Sequence, residues 1–226
     1  MCCTPSLWVL CAFSHSPRSA NCVIKRLNVL GGIIMLDQTI SRIRRNHGLE
    51  HATIHILTEK HKQFSAQGNS DHRGFSLNIY GDIKDDEVEA AVREAYRRLR
   101  NGEYHLAVHP NCGTVLVTTA ALSTLAVQLV FGIDSLRDNS SSNNKLATLL
   151  NTGPMAVLMA TLAIIISRPL GMKLQEKYTT DGHIGDMEIV QVRKVSPSII
   201  TRFFHVLLVG GQDSYQPTAY RIETKG

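Results

Sequence analysis

The sequence predicts an α+β cytoplasmic domain combined with a two-helix transmembrane hairpin. Two uncharged runs, GTVLVTTAALSTLAVQLVFGI at 113–133 and LATLLNTGPMAVLMATLAIIIS at 146–167, lie close together. Ahead of them comes a helix, strand and helix pattern; behind them come two strand-like segments at 187–195 and 218–223. The composition agrees with a folded chain: of 226 residues, 43% are hydrophobic, which excludes a disordered polypeptide. A net charge of +5 with 6% aromatics, and no dense Lys/Arg run, argues against nucleic acid as a partner. A mean hydropathy close to zero hides how unevenly the charges are placed.

Residues 1–35 read as a leader, either disordered or lying upstream of a natural start at Met35. It holds four of the five cysteines, Cys2, Cys3, Cys11 and Cys22. No basic residue precedes the short apolar stretch Leu7 to Phe13, so a secretory signal fits poorly. Residues 36–112 read as the first part of the cytoplasmic domain. Positions 36–62 form one helix, with Asp37 near its start and no proline inside. SAQGNSDHRG at 65–74 is turn-forming, and Phe75, Leu77 and Ile79 alternate as a strand over 75–81. A second helix starts within 82–86, with acids in its first turn and Arg97, Arg98 and Arg100 in its last, as the helix dipole favours. That arginine cluster reads as a lipid-facing anchor, Gly102 as the stop, and HLAVHPNC as an extended lead into the first span.

No Asp, Glu, Lys or Arg occurs between Glu103 and Asp134. At about 1.5 Å rise per residue, runs of 21 and 22 residues cross a hydrocarbon core of about 30 Å. The spans are therefore 113–133 and 146–167. Asn151 and Thr152 can cap the second run ahead of Gly153-Pro154. The polar segment 134–145 is the external loop, and 168–226 a cytoplasmic C-terminal segment with short strands. Arg137 and Lys145 are the loop's basic residues, against Arg93, Arg97, Arg98, Arg100, Arg168, Lys173 and Lys177 on the opposite flanks. The positive-inside rule then puts both termini in the cytoplasm, with the lipid bilayer as a partner.

Seven of the ten histidines fall between positions 47 and 109. His47, His51 and His55 recur every four residues on the first helix, and Glu50 completes the pattern His-x-x-Glu-His at 47–51. Histidines one turn apart can reach one tetrahedral metal, and a nearby carboxylate can polarise its bound water. Ile40, Ile43 and Ile54 project along the same face, which points the histidines inward; Leu49 and Ile56 face the other way. This makes His47 and His51 metal ligands, zinc the expected ion and Glu50 the catalytic base, with His55 outside the ligand set. His109 is the preferred further ligand, followed by Cys112, both in HPNC before the first span; Glu87 and Glu94 are the acidic alternatives. The competing interpretation is a trio of core histidines bonded to backbone carbonyls and to Glu50. No Walker, dinucleotide or G-x-S-x-G element is present.

The order His-x-x-Glu-His resembles the inverted zincin motif, in which two histidines bind zinc and the glutamate is the general base. That family takes a further glutamate far downstream, and at the matching distance this chain has its first span and no acid. On a larger scale, RNHGLEHATIHIL at 45–57, GEYHLAVHPNCGT at 102–114 and GDMEIVQV at 185–192 resemble a family of two-span bacterial membrane proteins of cyanobacterial type. It is known as a domain of unknown function, and the likeness runs over roughly 36–195. It implies a plasma or thylakoid membrane and supplies no activity. The leading expectation is a membrane-associated metallopeptidase or other metal-dependent hydrolase acting on a membrane-proximal peptide. The alternative is a non-catalytic membrane interaction or assembly protein with structural histidines; haem or redox-metal binding is a third class.

Overall fold

Helix α1 (Pro17–Lys60) begins well upstream of position 36, because no proline interrupts the chain between Pro17 and Lys60. The computed structural model describes residues 17–137, 145–197 and 217–226. Its two units are Met1–Thr39 and Ile40–Gly226, and each is taken by itself. In the first, residues 17–39 are helical, and Thr39 donates its hydroxyl to the Met35 carbonyl at 2.8 Å.

From Ile40 onward α1 is the central helix of the α+β domain. Leu49, Ala52, Ile56 and Leu57 are buried on it, so two of its sides face protein. Ile40 departs from the expected inward stripe: it is 47% exposed, whereas Ile54 one turn beyond the histidines is buried. A tight hairpin follows, β1 (Ser65–Asp71) and β2 (Gly74–Tyr80), paired from Ser65↔Tyr80 to Asp71↔Gly74. The turn-like composition of 65–74 concealed β1, whose small polar residues have little strand propensity of their own and are held by the ladder. Only His72-Arg73 turns, with Asp71 Oδ1 accepting the Arg73 N–H at 2.7 Å and Gly74 at φ +142°.

Helix α2 (Asp85–Arg100) presents Val88, Ala91, Val92, Ala95 and Leu99 to the core, and Glu87 returns to accept the Lys84 N–H at its start. Its last-turn arginines have partners within the domain. Arg97 pairs with Glu94, Arg98 with Glu59 and Glu103, and Arg100 donates to the Gly185 carbonyl. After Gly102, at φ +93°, Tyr104–Ala107 form a 3₁₀ turn where an extended segment was expected; only then, at Val108, does the chain extend.

Helices α3 (Gly113–Arg137) and α4 (Lys145–Leu174) are both long and apolar enough to cross a membrane. They run antiparallel, since Thr152 bonds Asp134 at one end while Gly171 abuts Val115 at the other. A Cβ on Gly171 would come within 2.9 Å of the Val115 Cα, so that crossing requires glycine. One turn in from the Gly171 end, the Thr119 and Ser167 hydroxyls bond at 2.7 Å. Leu116, Val117, Leu129, Val157, Ile165 and Ile166 are exposed on the outward faces. Most of the connecting loop lies outside the described residues, as do residues 199–209, which the sequence makes an apolar stretch between the two C-terminal strands.

Past α4 the chain widens into a π-helical turn, Gln175–Thr179, then supplies β3 (Glu188–Val195) and β4 (Thr218–Lys225). The sheet order is β1-β2-β4-β3, antiparallel throughout, so the parts before and after the two long helices share one sheet. Phe75, Leu77, Ile79, Tyr220 and Ile222 meet α1 and α2 in a single core. Two polar ties fix the layers: Tyr220 donates to Asp85 at 2.6 Å, and Asn46 bridges the Asp71 carbonyl and the Thr224 hydroxyl.

Candidate metal centre

The four-residue spacing on α1 sets His47 above His51, with ring centroids 4.3 Å apart and planes at 60°. Each ring is steered by a carbonyl. His47 Nδ1 donates to Thr179 O at 3.0 Å and His51 Nδ1 to Ala107 O at 2.8 Å. Since a carbonyl only accepts, the neutral tautomer of both rings leaves the Nε2 lone pair free. Cys112 Sγ lies 3.4 Å from His47 Nε2. The ligand atoms of His47, His51 and Cys112 all fall within 4.8 Å of one another, the one such group of three among the described residues. Two imidazole nitrogens and a cysteine sulfur are ligand atoms that could hold a metal ion, with carbonyl acceptors behind the histidines as is usual for metal-bound imidazole.

Cys112 reaches the pair because the chain before α3 is clamped. The fully buried Gln175 side chain accepts the His109 N–H at 3.0 Å and donates to the His109 carbonyl at 2.9 Å. The Gln175 carbonyl in turn accepts from the Thr180 N–H and hydroxyl. The same π turn offers Thr179 O to His47, and Arg44 holds it by donating to Lys177 O and Thr180 O. Gly48 lets the helix approach: a Cβ there would lie 2.3 Å from Asp181 O.

Burial sets the protonation states. It pushes the His51 pKa down to about 3, with His47 adding to the effect against the opposing Ala107 carbonyl bond. His109 falls to about 4, through burial first and His55 second. Both are neutral near pH 7. Glu50 is 4% exposed, and burial raises its carboxyl above the ordinary range although the Ser70 hydroxyl donates to it at 2.6 Å. Gly68 of β1 leaves the carboxylate its space; a Cβ at that position would overlap Glu50 Oε1. Glu50, His47, His51, His109 and Cys112 all line one cavity of about 670 Å³, which extends past Ile54 and Thr58 to His61 and Lys62.

The structure thus brings together all five expected site residues, with Cys112 rather than His109 grouped with the histidine pair. The His109 ring is centred 5.8 Å from that of His51 and 4.9 Å from that of His55, and its Nδ1 accepts the Asn111 N–H at 3.2 Å. His55 Nε2 donates to Val108 O. Glu87 and Glu94 are engaged elsewhere, at Lys84 and Arg97. Gln175, Thr179, Ser70 and Gly68 escaped the sequence reading. None belongs to a motif, and each acts through contacts made far away along the chain.

A family model described as a domain of unknown function, DUF6391, matches residues 42–192, a segment that contains every site residue named above and both long apolar helices. The chain is also similar to an uncharacterized protein of Picosynechococcus sp., 33% identical over 147 residues that make up 59% of this chain and 70% of the relative. No solved structure matches. With the model covering well over half of its length, the chain belongs to the DUF6391 family.

Proposed function

We propose that this chain is an integral membrane protein whose cytoplasmic domain holds a divalent ion, zinc first, on His47, His51 and Cys112, and hydrolyses a peptide bond in a membrane-proximal substrate. The observation that carries the reading is the grouping of three ligand atoms within 4.8 Å on the wall of a cavity that a carboxylate shares. Neutral imidazoles suit this role, because a ligand lone pair must be free of its proton. A bound ion would supply Lewis acidity and an acidified water. The chain's own contribution is separate. Glu50, with its raised pKa, accepts a proton on the oxygen not engaged by Ser70, in the position of a general base. His109 accepts from Asn111 on Nδ1, so its Nε2 carries the proton and serves as a donor to the cavity.

The membrane reading is supported by α3 and α4, whose outward faces carry exposed leucine, valine and isoleucine. The basic excess on the domain's side of the pair supports a cytoplasmic domain. A reporter fused after Gly226 is expected to be active only in the cytoplasm.

The test of activity uses the full chain in detergent. Near-stoichiometric metal is expected, and Glu50→Gln retains it while losing about a hundred- to ten-thousand-fold in peptide hydrolysis. Hydrolysis unchanged in Glu50→Gln removes the catalytic proposal. One observation favours a non-catalytic alternative: His47, His51 and His55 each already satisfy a backbone carbonyl, as structural histidines would. Metal bound with no hydrolysis in the wild type selects that alternative.

A further inference from the structure

The two outer strands of the sheet are built differently. β3, at one edge, carries Glu188, Arg193 and Lys194 and a register irregularity between Ile189 and Gln191, devices that keep a second chain from pairing with an edge. β1, at the other edge, is SAQGNSD: it has no proline, no lysine and no irregularity over seven paired residues, and its one charge is at the final position. Among the described residues no strand pairs with its outer side. Four consecutive β1 residues, Ser65 to Gly68, line the cavity that holds the metal-site residues.

We infer that this open edge is the docking strand for an extended polypeptide, which enters the cavity as a fifth strand beside β1. The β1 side chains are small, so a second backbone can approach, and main-chain pairing supplies affinity without demanding one sequence. The cavity follows one face of α1 from His47 to His61. Fourteen residues at about 1.5 Å rise make that face about 21 Å long, which holds about six extended residues. Gly68 sits against Glu50, so a peptide paired at that level passes the carboxylate and the His47–His51–Cys112 group. Toward the Ser65 end, Lys62 is the only permanent cation among the lining residues, which places an acidic side chain of the peptide there. The inference deepens the hydrolase reading by naming how the substrate is held, and its main-chain pairing is measurable without turnover.

The experiment uses the full-length Glu50→Gln protein in detergent, so that nothing is cleaved, and an octapeptide carrying fluorescein on its N-terminus in place of an acetyl cap, fluorescein-Thr-Ala-Val-Asp-Thr-Ala-Val-Thr-NH₂. Two further versions are N-methylated on the odd or on the even amides. Alternate amides of a strand face opposite sides, so strand addition requires one set and leaves the other free. Binding of the unmethylated peptide is expected, with one methylated series retained and the other weakened at least about tenfold. Equal binding of both series, or no binding of the unmethylated peptide at millimolar concentration, overturns the proposal. Lys62→Glu is expected to weaken this Asp-containing peptide by several-fold, and unchanged affinity overturns the placement of the acidic residue. Strand-specific binding with no wild-type hydrolysis would sink the catalytic reading and leave this one standing; the reverse result would do the opposite.

Discussion

Cys112 and His47, 65 positions apart in the chain, sit with Sγ 3.4 Å from Nε2, and His51 completes the group from the next turn of the same helix. The thiol thus comes to the histidine face from the beginning of α3, the first of the two long apolar helices.

If these three atoms form one site, each ligand matters. Cys112→Ser, His47→Ala and His51→Ala should each reduce the metal content of the purified protein to background, as read by elemental analysis, with the fold checked by circular dichroism. His109→Ala should leave most of the metal in place. Full metal retention in Cys112→Ser would contradict the grouping.

Gln175 should act through position alone. Gln175→Ala leaves the His109 N–H without its partner and the His109 carbonyl with the Cys112 N–H alone, at about 1–3 kcal/mol for the unsatisfied donor. It also frees the segment bearing Cys112, so metal affinity is expected to fall by about ten- to a hundredfold, the usual scale for a supporting residue behind a ligand. Competition with a chelating dye measures this, and unchanged affinity would separate Gln175 from the site.

Gly48 is fixed by the approach of Asp181, whose carbonyl oxygen would lie 2.3 Å from a new Cβ. That neighbour is backbone and cannot rotate aside, so Gly48→Ala is expected to destabilise the fold by about 1–3 kcal/mol, as overpacking does. Denaturant unfolding of the detergent-solubilised protein is the check, with Gly102→Ala as a contrasting variant. There the space is open and the penalty comes from φ +93° alone.

The buried His51 gives a signed pH dependence. Its folded pKa of about 3 lies below the ordinary 6.5, so the unfolded chain binds the extra proton first. Its contribution to stability is complete above about pH 6.5 and is lost as pH falls toward 3. Glu50, raised by burial, contributes with the opposite sign: its term is present at low pH and is lost as pH rises above the ordinary glutamate range. Thermal melts of the metal-free protein between pH 4 and 7 should fall with acidification in the wild type and be flatter in His51→Gln.

The sequence by itself determined the two long apolar helices, the α1 histidine face, β2, α2 and the two C-terminal strands, because each is a local matter of period, charge gap or turn chemistry. It also determined that His47, Glu50 and His51 share a helix face, which spacing of three and four residues requires. Tertiary structure decided the rest. β1 exists because β2 pairs with it, against the weak strand preference of SAQGNSD. Arg98 and Arg100 of α2 are bound because Glu59, Glu103 and Gly185 come to them from outside the helix. Cys112, not His109, joins the histidine pair because Gln175, 66 residues beyond His109, holds that histidine's backbone from both sides. Periodicity reports which face of an element is buried, but a ligand set depends on contacts across the fold, and those are fixed only when the elements pack.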